Sequence, residues 1–224
     1  MTRSIAGLLI LIIGVSPLVS GQLSSPSEPF FEYGKFPCDG FRGNIDILLA
    51  EVERNPGSDG LVVNVGAGED ELLAVMREEM MRNHISFRGF DASRVRFART
   101  TDGEFLTRNY LVPAEANAAI SKRNYKLTSV NSPVVIEDHE FDDLCPGINY
   151  LHLFGELLEQ NPAARATITV WGETQKAARK REKIITAYLA GDRKLSSTRF
   201  KTFLKVKGDF QYGMDPYVEY TYIP

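Results

Sequence analysis

Gly60-Leu-Val-Val-Asn-Val-Gly66 decides the fold, because Ala166-Thr-Ile-Thr-Val-Trp-Gly172 says the same thing a second time. Each is a short run rich in β-branched residues that closes on a glycine, which is the signature of a buried strand leading into a turn. Working outward from both runs, the match continues. Cys38, Asn44, Asn55-Pro56, Gly68, Arg77, Arg94 and Val112-Pro113 recur in order as Cys145, Asn149, Asn161-Pro162, Gly172, Arg181, Arg199 and Ile223-Pro224, at offsets between 104 and 111 residues. Seven matches kept in step over that distance read as a duplicated domain.

The elements of one copy follow from its local chemistry. Asn44 and Asn149 suit the N-cap of a first helix, since a short polar side chain accepts from the orphan amides of a first turn. Ile45, Leu48, Leu49 and Val52, and then Leu151, Phe154, Leu157 and Leu158, make the apolar stripe of that helix. The Asn-Pro pairs stop it, because the residue before proline is pushed out of the helical region. After the central strand, Asp70 and Thr174 are the expected N-caps of a second helix. It is expected to run through Leu73, Met76 and Met80 in one copy, and Ala178, Ile185 and Leu189 in the other. Polar turns at Asp91–Arg94 and Leu195–Arg199 lead to strands at Val95–Ala98 and Phe200–Val206. Final strands are expected at Glu104–Val112 and Tyr217–Ile223, and opening strands around Pro29–Phe36 and Val134–Ile136. The expected fold is α+β: two tandem repeats, each β-α-β-α-β-β with two helices on one face of a mixed sheet.

Met1 to Gly21 reads as an export signal, with Arg3 before an apolar run from Ile5 to Val15 and a small-residue cleavage site at Val19-Ser20-Gly21. Ser16-Pro17 breaks the run short of the ~20 apolar residues of a membrane span, so the mature chain is not expected to be an integral membrane protein. The expected organisation is a signal at 1–21, a Ser/Pro-rich leader at 22–28, repeat one at 29–113, a linker at 114–124 and repeat two at 125–224. A net charge of -3 argues against nucleic acid as a partner. The two cysteines, one per repeat in an oxidising compartment, leave two readings open: a Cys38–Cys145 disulfide tying repeat to repeat, or two buried thiols.

Arg77 and Arg181 each lie inside the second helix beside apolar residues. A guanidinium there needs oxygens, and two sources are open: a carboxylate of the same domain (Glu69, Asp70 and Glu173 are near in sequence), or a ligand carboxylate gripped by the planar fork. Their guanidinium groups are expected to be buried and to aim at the loop after the second strand.

Other charged features have plainer readings. Glu137 to Asp143 packs five carboxylates around His139 without calcium-loop spacing and reads as a solvated acidic loop. Lys176 to Lys183 is a basic run in which Lys176, Lys180 and Lys183 share one face and read as pointing into water, an anion-binding patch being the other reading; Glu71, Glu78 and Glu79 give the matching helix of the first copy the opposite charge. His84 and His152 stand alone in sequence. No metal set, cofactor motif or catalytic motif is visible.

This order of elements, with a glycine closing the second strand and an arginine inside the second helix, resembles the periplasmic C-terminal domain of outer membrane protein A. In that family the strand ends in Gly-His-Thr-Asp and a Leu-Ser-x-x-Arg-Ala helix follows, the aspartate and arginine holding the diaminopimelate group of peptidoglycan. Here the matching stretches are Gly66-Ala-Gly-Glu-Asp70 and Gly172-Glu-Thr-Gln175, with no aspartate in register, while Arg77 and Arg181 fall at the family's arginine. The resemblance implies an exported, non-enzymatic envelope module, periplasmic or secreted, with peptidoglycan or another envelope protein as partner. The alternative is an exported hydrolase built around one of the three histidines.

Overall fold

The computed structural model describes residues 28–35, 38–114, 122–139, 149–207 and 217–224, with the main chain alone at 38, 39 and 139. The export signal, most of the leader and linker, the acidic run beyond His139 and the pairing of Cys38 with Cys145 lie outside the described residues.

The first repeat runs β1 (Phe31–Tyr33), α1 (Cys38–Arg54), β2 (Ser58–Val65), α2 (Glu69–Phe87), β3 (Val95–Thr100) and β4 (Leu106–Pro113). The second runs β5 (Val134–His139), α3 (Tyr150–Gln160), β6 (Arg165–Gly172), α4 (Gln175–Thr186), β7 (Phe200–Val206) and β8 (Tyr217–Ile223), with a π-helical turn at Ala187–Asp192 after α4. The two four-stranded sheets have the same order, β1-β4-β2-β3 and β5-β8-β6-β7. In both, the central strand pairs parallel with the strand after the second helix and antiparallel with the last. The fold is therefore α+β with two alike units, each a mixed sheet.

Burial explains the elements. α1 places Ile45, Leu48, Leu49 and Val52 against Val62 and Val95, and α3 places Leu153, Phe154, Leu157 and Leu158 against Ile168 and Tyr220. Each such side chain contributes about 1.5–3 kcal/mol by leaving water. The closing glycine admits the second helix. A Cβ on Gly66 would stand 2.3 Å from the Asp70 carbonyl oxygen, and one on Gly172 would stand 2.8 Å from the Ala178 nitrogen. Sequence spacing pairs Gly172 with Gly68, whereas this close approach pairs it with Gly66.

The matched pair Arg94 and Arg199 does one job twice. Arg94 Nη2 donates to the carbonyls of Val52 (2.7 Å), Asn55 (3.2 Å) and Ser58 (2.7 Å). Arg199 Nη2 donates to Leu158 (2.9 Å), Asn161 (2.8 Å) and Ala164 (2.7 Å). Each guanidinium thus satisfies carbonyls left over where the first helix and its Asn-Pro turn end, with a positive charge at the negative end of the helix dipole.

Two expected caps are corrected. α1 begins at Cys38, so Asn44 lies inside it; Phe41, 4% exposed in the core, carries the helix past that residue. α2 is preceded by Gly68 at φ +58, a left-handed turn that starts the helix at Glu69 without an Asp70 cap. Asn149 and Thr174 do cap, accepting from the amides of His152 and Ala177.

Glu71, Glu78 and Glu79 of α2 are buried. Glu71 accepts from the amide and hydroxyl of both Thr128 and Ser129, at 2.7–3.1 Å. Glu79 accepts from Arg123 Nε (2.9 Å) and the Tyr125 hydroxyl (2.8 Å), and Glu78 holds Arg82. Leu72 and Val75 join the hydrophobic core of the second repeat. The described end of the linker is accordingly docked on α2, which faces both units.

Candidate functional site

Arg77 and Arg181 sit over the same place in their sheets. On the central strands, Val62 faces Asn109 and Ile168 faces Tyr220, so Asn109 and Tyr220 correspond. On the outer strands, Tyr33 faces Thr107 and Asp138 faces Val218, so Tyr33 and Asp138 correspond. The two arginines therefore meet different surroundings on one scaffold.

In repeat one the site is closed. Arg77 is 5% exposed and donates from Nη1 to the Thr107 hydroxyl (3.0 Å), which donates in turn to Asn64 Oδ1 (2.7 Å). Its guanidinium carbon lies 4.1 Å from the Phe105 ring centre and 5.4 Å from that of Tyr33. Two aromatic faces take the role of counter-ions, since cation–π contact gains strength when water is excluded. Among the described residues no carboxylate pairs with Arg77; Asp70 pairs instead with Lys35 at 3.3 Å. Burial pushes the Arg77 guanidinium pKa down and the Tyr33 phenol up to about 12. The fork aims at β4 and the Phe105 turn, not at the loop after the second strand as expected.

In repeat two the site is open. Arg181 is only half-buried and lines a cleft of about 470 Å³ with Asp138, Trp171, Lys180, Ile184 and Tyr220. Asp138, expected in a solvated acidic loop, lies instead on β5 and lines this cleft. Burial raises the Tyr220 phenol, Asp138 raises it further and Arg181 opposes the shift, so both charges act on the cleft floor. Trp171 stacks on Tyr217 with ring centres 5.5 Å apart, and Lys205 Nζ lies 4.5 Å from the Trp171 ring centre. A cation, a carboxylate and an aromatic wall around a recess can hold a ligand that carries a carboxylate. Arg181 was found by its helical spacing. Asp138 and Tyr220 were not, because strand register alone brings them there.

The histidines are not isolated. His84 Nε2 lies 2.8 Å from Asp46, which Arg88 also holds, and the Arg88 hydrogen bond keeps the Asp46 carboxyl below its usual range. His152 Nδ1 lies 3.0 Å from the Tyr188 hydroxyl, within a cluster with Arg193 and Glu156. Neither lines the Arg181 cleft, and the side chain of His139 lies outside the described residues. Among the described residues, no group of His, Cys, Asp or Glu could hold a metal ion, and no helix is long and apolar enough to cross a membrane. No protein-family model matches the chain, and no curated protein matches it.

Proposed function

We propose that this chain is an exported, non-enzymatic tandem-repeat protein of a bacterial envelope, periplasmic or secreted. Its second repeat grips a carboxylate of a cell-wall component through Arg181. One observation carries this reading: the same helical arginine lines an open cleft in repeat two and is sealed by Tyr33 and Phe105 in repeat one. The resemblance to the C-terminal domain of outer membrane protein A supports peptidoglycan as the ligand. Asp138 supports it too, since it supplies a carboxylate from β5 where the second-strand loop has none in register.

The hydrolase alternative needs a pocket in which a histidine reaches a hydroxyl or carboxylate. His84 reaches Asp46 and His152 reaches the Tyr188 hydroxyl, and neither histidine lines the Arg181 cleft.

The test is retention on purified peptidoglycan. The wild-type chain and Arg77→Met are expected to be retained, and Arg181→Met to be lost while its circular dichroism spectrum shows the fold intact. Retention no better than a mock column rejects the cell-wall reading.

A further inference from the structure

The outer face of α4 carries a second feature, which begins where the cleft ends. The helix holds Lys176, Arg179, Lys180, Arg181 and Lys183 against one carboxylate, Glu182, which is engaged by the Thr202 hydroxyl at 2.6 Å. That is net +4 on one helix of a chain whose whole charge is -3. Lys176, Arg179, Lys180 and Lys183 are all exposed, and none forms an ion pair among the described residues. With Gln175 they line an open depression of about 520 Å³.

A face designed only for solubility interleaves acids with bases at i,i+4. This one sets Lys176 against Lys180 and Arg179 against Lys183, which are like-charge pairs that cost helix stability. A bound polyanion would relieve that repulsion.

Lys180 borders both the depression and the Arg181 cleft, so the two form one positive track. Lys176 and Lys183 are seven residues apart, about 10 Å along the axis. One small carboxylate cannot span that distance, but a chain bearing several can. A flat membrane would touch the outer face of the helix and leave recessed Arg181 unused, whereas an extended chain can follow the turn into the cleft.

We infer that α4 and the cleft together form one binding track for an extended polymer bearing carboxylates, one in the Arg181 cleft and the next along Lys180, Lys176, Arg179 and Lys183. This rests on the carboxylate reading of the cleft.

Fluorescein-labelled poly-L-glutamate, titrated with the full chain and followed by anisotropy, tests it. Binding is expected at low salt, with log K falling against log salt at a slope of roughly -3 as counterions are released. Joint replacement Lys176→Gln, Lys180→Gln and Lys183→Gln should weaken binding at least about tenfold and flatten the slope by roughly 2. The melting temperature should hold or rise as the like-charge pairs disappear.

Wild-type affinity in that variant, salt-independent binding, or no binding at low salt overturns the inference. So does equal affinity for inorganic polyphosphate, or capture on phosphatidylglycerol vesicles through the same lysines. Peptidoglycan retention that fails in Arg181→Met, but is untouched by the lysine changes and unmatched by polyglutamate binding, would reject the track and leave the cleft standing.

Discussion

The two matched arginine pairs, Arg94 with Arg199 and Arg77 with Arg181, look alike in sequence and do different physical work. Arg94 and Arg199 are structural, since each supplies N–H donors to carbonyls that the end of a helix cannot otherwise satisfy. Replacing either with methionine leaves those oxygens short of donors in a half-buried turn. Arg94→Met should cost about 2–4 kcal/mol, read from urea unfolding as a shifted midpoint at constant slope. Arg77 presents the opposite case. It is buried with no carboxylate partner among the described residues, so Arg77→Met abandons no anion there and removes a desolvated charge, at the loss of two aromatic contacts. Its stability should stay within about 1 kcal/mol of wild type or rise. A loss as large as that of Arg94→Met would show that the Arg77 network is a necessary part of the core. Phe105→Ala uncovers the Arg77 guanidinium and should make repeat one accessible to a ligand carboxylate, detectable as a second binding event in titration calorimetry. One event only would mean that Phe105 is not the plug.

At the scale of elements, the strands and helices were legible because burial writes a period into the sequence. The β-branched runs of β2 and β6, and the stripes of α1 and α3, survive in the structure. What was misread was decided by contacts distant in sequence. Asn44 has the chemistry of a cap, but Phe41 earns more by entering the core, so α1 starts earlier. Glu71 and Glu79 of α2 are likewise held by Thr128, Ser129, Arg123 and Tyr125, more than forty residues away in sequence. The Arg181 cleft was half legible: the helix announces its arginine, while Asp138 and Tyr220 arrive through pairing of β5 with β8 and β8 with β6. The junction built by α2 has a pH signature. Burial alone would raise the Glu71 pKa, yet the donors of Ser129 and Thr128 outweigh it and hold it below the ordinary value. A depressed carboxyl stabilises the fold above its unfolded pKa of about 4.3, and that contribution is lost as pH falls through the folded pKa. Glu71→Gln should therefore be less stable than wild type at pH 7 and lose less on acidification below about pH 4. Parallel pH curves for the two proteins would contradict this account, as measured by thermal melts from pH 7 down to pH 3.

For the whole molecule, two α+β units share one strand order and differ in what surrounds their second helices. The same strand order carries both, and the second helix of each carries an arginine beside the corresponding outer strand, near Tyr33 in one and Asp138 in the other. Repeat one uses that arginine in its own packing and turns the rest of α2 toward its neighbour. Repeat two keeps its arginine open, beside a helix whose charge faces outward. The division of labour proposed is that one copy supports and the other binds. Titration calorimetry of the full chain with soluble peptidoglycan fragments tests that division most directly. The account predicts one fragment bound per chain, with the signal abolished by Arg181→Met and unchanged by Arg77→Met. Two fragments per chain, or binding that survives Arg181→Met and fails with Arg77→Met, would contradict it.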